Sequence, residues 1–175
     1  MENNKHRMTL REISEAWRVF NAISPLSFKN PKARHGINRN IDFTEKIHVA
    51  IIKTLEEIRN GFIHQDAEGK PKKLFRKVDG EVFKNEQGNS IPIGWDFVEN
   101  GQQDAQYAQE KYLDEVEEDV NVFKIKTSWL SPAWRYMHNP SGGNAIREEI
   151  FMSASEERAI MYALDFEELN ENENE

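Results

Sequence analysis

The chain has 175 residues, no cysteine, 38% hydrophobic residues and a formal charge of −8. A chain of this length is expected to form one domain and to bury a core without staples. The missing cysteines exclude disulfide scaffolds, thiolate zinc sites and cysteine nucleophiles. No apolar run reaches the ~18–20 residues of a membrane span. The opening Met1-Glu2-Asn3-Asn4-Lys5 lacks the apolar stretch of a signal peptide, so the expected location is cytoplasmic.

The first helix is signalled by Thr9-Leu10-Arg11-Glu12, a capping box in which each end satisfies the other's backbone amide. Leu10, Ile13, Trp17, Phe20 and Ile23 follow as one apolar stripe, and Ser24-Pro25 ends it. A second, longer helix opens at Asn30-Pro31. Gly36 and Asn38-Arg39-Asn40 weaken its early turns, whereas Ile47, Ile51, Leu55, Ile58 and Phe62 form a coiled-coil-like seam. Gly61 and the stretch from Asp66 to Gly69 close it. Next, Leu74 to Val78 and Glu81 to Phe83 flank Asp79-Gly80, a two-residue hairpin signal, and Ile91-Pro92-Ile93 follows a second turn.

A third helix runs from about Gln102 to Asp119, with Ala105, Ala108, Tyr112 and Val116 on its apolar face. Val120 to Lys126 reads as a strand with a phase slip at Phe123. Residues 128–144 read as an irregular loop carrying Trp129, Trp134 and Tyr136. A last helix starts at a second capping box, Ser153-Ala154-Ser155-Glu156. The expected fold is therefore mainly α with a small β element. It is a single domain over residues 1–166, built as an antiparallel long-helix hairpin with a β-hairpin or meander inserted at about 73–93. Residues 167–175 are too polar to pack and should form a disordered acidic tail.

Charge is split unevenly. Residues 1–84 carry 17 Lys and Arg against 11 Asp and Glu, and residues 85–175 carry 6 against 20. Pairing of the second and third helices would set the acidic helix beside Lys46, Lys53 and Arg59, where positive neighbours offset carboxylates crowded at a helix C-terminus.

Arg59-Asn60-Gly61-Phe62-Ile63-His64 resembles the motif of the HEPN ribonucleases, in which histidine moves protons and arginine holds the scissile phosphate. The resemblance implies a metal-independent ribonuclease using Arg59, Asn60 and His64. The competing reading of the same residues is a helix end where Arg59 and His64 meet the dipole. Glu56, Glu57, Glu115, Glu118 and Asp119 are the residues that could chelate magnesium, but they lie mostly off the apolar stripes, as a solvated face does. The five histidines show no metal-ligand spacing, so no metal and no cofactor is expected. Trp129, Trp134 and Tyr136 are residue types that dominate interface energetics and are the candidate partner-binding residues.

Five stretches together resemble an uncharacterised family encoded by tailed phages and prophages. They are Leu10–Ile23, Leu55-Glu56-Glu57-Ile58, Asp66-Ala67-Glu68-Gly69-Lys70, the run from Leu113 to Ile125, and Met152 through Leu164. The resemblance implies a phage-encoded protein in the host cytoplasm or associated with the virion. On this reading the protein is non-enzymatic and binds another protein, of phage or host or itself, in particle or tail assembly or against a host system. Nucleic acid and membrane are not expected partners, and acidic mimicry of DNA is not expected either, since the acidic half falls well short of the charge density of a duplex.

Overall fold

The computed structural model describes residues 4–78, 80–137 and 145–165. Asp79, residues 138–144 and the acidic segment 167–175 lie outside the described residues. The first half contains β1 (Asn4–Thr9), α1 (Leu10–Ile23), β2 (Ser27–Phe28), α2 (Pro31–Asn60), β3 (Lys73–Phe75), β4 (Lys77–Val78), β5 (Glu81–Val82) and β6 (Pro92–Trp95). The second half contains α3 (Gly101–Glu115), β7 (Glu117–Val122), β8 (Ile125–Lys126), α4 (Thr127–Leu130), β9 (Ala133–Met137), β10 (Ile146–Ile150), α5 (Ala154–Ile160) and β11 (Leu164–Asp165). The chain divides into two compact units, Met1–Ile51 with Asp114–Glu175, and Ile52–Leu113.

In the first unit, Thr9 caps α1 as the sequence requires. Its hydroxyl accepts from the Glu12 amide at 3.2 Å, and its own amide donates to the Glu12 carboxylate at 2.8 Å. The stripe Leu10, Ile13, Ala16, Phe20 and Ile23 is buried, and α1 packs on α5, which Ser153 caps in the same reciprocal way. β1 pairs antiparallel with β7 from Asn4 opposite Val122 to Thr9 opposite Glu117. β9 is the middle strand of a three-stranded antiparallel sheet, flanked by β10 and β2. β8 pairs in parallel with β11.

Asn40 ties α2 to the segment between β7 and β8. Its side chain accepts from the Phe123 amide at 3.0 Å and donates to the Phe123 carbonyl at 2.9 Å, and it is 1% exposed. The phase slip at Phe123 is thus a break between two strands whose free backbone groups a buried amide satisfies. Gly36 lies one turn earlier. A Cβ there would stand 2.7 Å from Cγ1 of Ile125, so the close approach of β8 to α2 requires glycine.

The second unit holds the last turns of α2, most of α3 and a set of small β elements. β3 pairs with β6, with Lys73 opposite Trp95 and a bulge that leaves Ile93 between the partners of Leu74 and Phe75. β4 and β5 form the hairpin read at Asp79-Gly80. Asp66 and Asn85 build two loops of one design. Each side-chain oxygen accepts from the amides two and four residues on, and Gly69 and Gly88 take positive φ.

The expected long-helix hairpin is not formed. Helices take 48% and strands 28% of the described residues, in five helices and five small separate sheets. The buried face of α2 comes from Ala33, Gly36, Ile37, Asn40, Thr44 and Ile51, so the turns read as weak are the packed ones. Of the expected seam only Ile51 is buried. α3 buries Gly101 and Ala105 and meets α2 through a hydrogen bond from Gln109 Nε2 to the Leu55 carbonyl at 2.7 Å. The cations expected beside the acidic helix pair elsewhere. Lys53 meets Glu57 and Arg59 meets Glu56 on their own helix, while Asp114 pairs with Arg11 of α1 and Glu117 with Arg7 of β1. Residues 133–137, read as irregular loop, form β9 because two strands flank it.

Candidate interaction site

The β elements of the second unit are held by backbone bonds more than by side-chain burial. His64, Lys72 and Asp96 form a small ladder, with the His64 amide donating to Asp96, Lys72 to His64 and Asp96 to Lys72 at 2.7–2.9 Å. Gly101 closes the base of α3, where an added Cβ would come within 2.7 Å of the Phe62 carbonyl oxygen. Beyond this base, no described side chain from His64 to Gly94 is buried.

Trp95, half-buried on β6, is the centre of the site. The Arg59 guanidinium lies 5.1 Å from its ring centroid and the Lys73 ammonium 5.6 Å, within range of cation–π attraction. A groove of about 620 Å³ opens beside it, walled by Lys70, Pro71, Lys72, Lys73, Phe75 and Trp95, with Asp66 and Glu68 at its edge. Register explains the grouping: Lys73 is opposite Trp95, and Phe75 lies two residues on, so all three share a face while Leu74 points away. Arg76 repeats the arrangement, 5.0 Å from the Phe83 ring.

Two carboxyls of this unit lie below their ordinary values. The Lys72 ammonium, 2.7 Å from Asp96, draws the Asp96 carboxyl below its ordinary value, and His64 adds to the effect. Backbone amides of Lys70 and Glu68 lower Asp66.

Arg59, Asn60 and His64 lie where α2 gives way to the small β elements. α2 ends at Asn60, so His64 stands beyond it on the small ladder, exposed beside Asp96. Arg59 is turned to Trp95 and Glu56, and its Nε and the Asn60 Oδ1 are buried with no hydrogen-bond partner. Among the described residues no three histidine or carboxylate side chains come together as metal ligands.

The candidate partner-binding residues lie in the first unit. Trp134 and Tyr136 share one face of β9, where Arg147 of β10 lies 3.6 Å from the Trp134 ring and Tyr136 is 59% exposed. Trp129 is on α4, with Lys32 at 5.6 Å from its ring. The same unit holds a cavity of about 580 Å³ lined in part by His6, Met8, Glu15, Arg158 and Tyr162. Burial raises the Tyr162 hydroxyl above its ordinary pKa, and that hydroxyl has no partner. His48 stacks on Trp17 at 3.9 Å and meets Ser14 at 3.3 Å.

Sequence reasoning missed Trp95. The available signal was the run Lys70-Pro71-Lys72-Lys73-Leu74-Phe75-Arg76-Lys77, where cations alternate with rings and aliphatics on a predicted hairpin.

No family model, curated protein or solved structure matches the chain. No helix among the described residues is long and apolar enough to cross a membrane.

Proposed function

We propose that this is a non-enzymatic, phage-encoded protein that acts by binding another protein, and that the β elements of the second unit make the contact. The setting, in particle or tail assembly or against a host system, rests on the resemblance noted in the sequence. One observation carries the choice of surface. Over His64–Gly94 nothing described is buried, yet Leu74, Phe75, Val78, Val82, Phe83, Ile91 and Ile93 are each at least 36% exposed. Two-stranded ribbons are marginal in water, and large apolar side chains left exposed in such number are candidates for an interaction site. A partner laid on this ribbon would supply the missing core. The ribonuclease alternative loses support because Arg59 and His64 do not share a helix and the Arg59 guanidinium is engaged by Trp95.

The test is affinity capture from the cells that make the protein, comparing wild type with Leu74→Asp/Ile93→Asp. A specific protein should be retained by wild type and lost from the variant at unchanged melting temperature. Equal capture by both would overturn the reading, as would a melting temperature several degrees lower in the variant, which would make these residues part of the folded core.

A further inference from the structure

We infer that the Trp95 groove receives an acidic chain segment, and that its occupant is residues 166–175 of a second copy of this chain. The inference rests on the reading of the β ribbon as a protein-binding surface and names what occupies one of its faces. From Lys70 to Lys84 the sequence has six cations against Asp79 and Glu81. Lys73 and Arg76 sit over aromatic rings with no ion pair among the described residues. Lys70 pairs with Glu68 in an exposed position, where such pairs are weak and exchange readily, and Lys72, which pairs with the partly buried Asp96, is itself about half exposed. An ammonium lying against a ring still has donors free for an incoming carboxylate, and such charge-assisted bonds are the stronger kind.

The walls add an apolar component, since Pro71, Phe75 and Trp95 line the same groove. At about 620 Å³ it lies within the ~300–1,000 Å³ range of ligand sites, enough for a few side chains of an extended peptide. Single-stranded nucleic acid fits less well. Stacking needs an open ring face, and two cations already lie over Trp95. A carboxylate adds to those cations without displacing them.

The occupant is argued from complementarity. Phe166-Glu167-Glu168-Leu169-Asn170-Glu171-Asn172-Glu173-Asn174-Glu175 has five carboxylates and no cation, with Phe166 and Leu169 as apolar anchors. Ten extended residues reach about 33 Å, long enough to follow the groove. The other acidic run, Asp114 to Asp119, already gives Asp114 to Arg11 and Glu117 to Arg7.

The experiment uses the full-length chain with Glu167, Glu168, Glu171, Glu173 and Glu175 all changed to Gln, beside wild type and Lys72→Glu/Lys73→Glu. Sedimentation equilibrium should show wild type self-associating as its concentration rises, less so in about 0.5 M salt, where charge attractions are screened. Both variants should be at least tenfold weaker. A labelled synthetic peptide of residues 166–175 should bind the Gln variant saturably, and tenfold more weakly when Lys72→Glu/Lys73→Glu is added. A wild type that stays monomeric at every concentration overturns the inference, and so does peptide binding that ignores the lysine changes. If that happens while Leu74 and Ile93 still govern capture of another protein, the functional reading stands and only the occupant is wrong.

Discussion

The two units bury their side chains very differently. Of the buried apolar side chains described, only Ile63 and Ala105 belong to the second unit; the rest, from Met8 and Phe20 to Ile160 and Leu164, belong to the first. The first unit is held by a core, and its buried polar residues Asn40 and Thr44 are hydrogen-bonded. The second is held by backbone ladders, Asx turns and exposed ion pairs. The contrast separates two uses of apolar residues. In one unit they are already spent on folding, and in the other they remain open to solvent and available to a partner.

The widest gap should appear on truncating a core ring. Phe20→Ala removes a side chain with no exposed surface and should destabilise by about 3–5 kcal/mol in urea unfolding. A loss below 1 kcal/mol would break the contrast. Asn40→Ala strands the amide and carbonyl of Phe123 and should cost about 2–3 kcal/mol by the same measurement.

A pH slope sharpens the comparison further. Burial, and to a lesser degree Arg18, holds His48 below the ordinary histidine value, so the folded protein favours the neutral ring. The unfolded ring takes up its proton first as pH falls. Stability should therefore be intact above about 6.5 and decline below it. His48→Phe, which keeps a ring on Trp17, should flatten the decline in melting curves taken from pH 7.5 to 5; an unchanged slope would contradict this. The smallest effect is expected on the ribbon, where Leu74→Ser should shift stability by no more than about 0.5 kcal/mol. Amides of His64–Gly94 should also exchange with solvent faster than those of α1.

Local signals were legible where they were self-contained. The boxes Thr9–Glu12 and Ser153–Glu156 cap helices because each is complete within four residues. The Asp79-Gly80 hairpin also forms, since its flanking alternation is local. What failed was partner choice. Asn4–Thr9 has a polar sequence with only Met8 buried among the residues whose side chains are described, and it is a strand because β7 pairs with it. Gly36 and Asn40 looked like helix weakeners, but one admits Ile125 and the other satisfies Phe123, both more than eighty residues away. The ion pairs of Arg7 and Arg11 with Glu117 and Asp114 were hidden for the same reason, so the charge split was read correctly but its pairing was not. At the site, Lys73 and Phe75 carry the alternation of a strand, but Trp95 joins them only through a register that a bulge resets.

The pairing of β1 with β7 also has a consequence in time. Asn4 is paired with Val122, so once made β1 waits unpaired until more than a hundred further residues have followed it. Ile52–Leu113 is contiguous, and its Asx loops close over five residues each, so all its partners emerge before β7 exists. During synthesis, at about 5–20 residues per second, the weakly buried unit can assemble seconds before the strongly buried one. The order in which the units form is then the reverse of the order in which they resist unfolding.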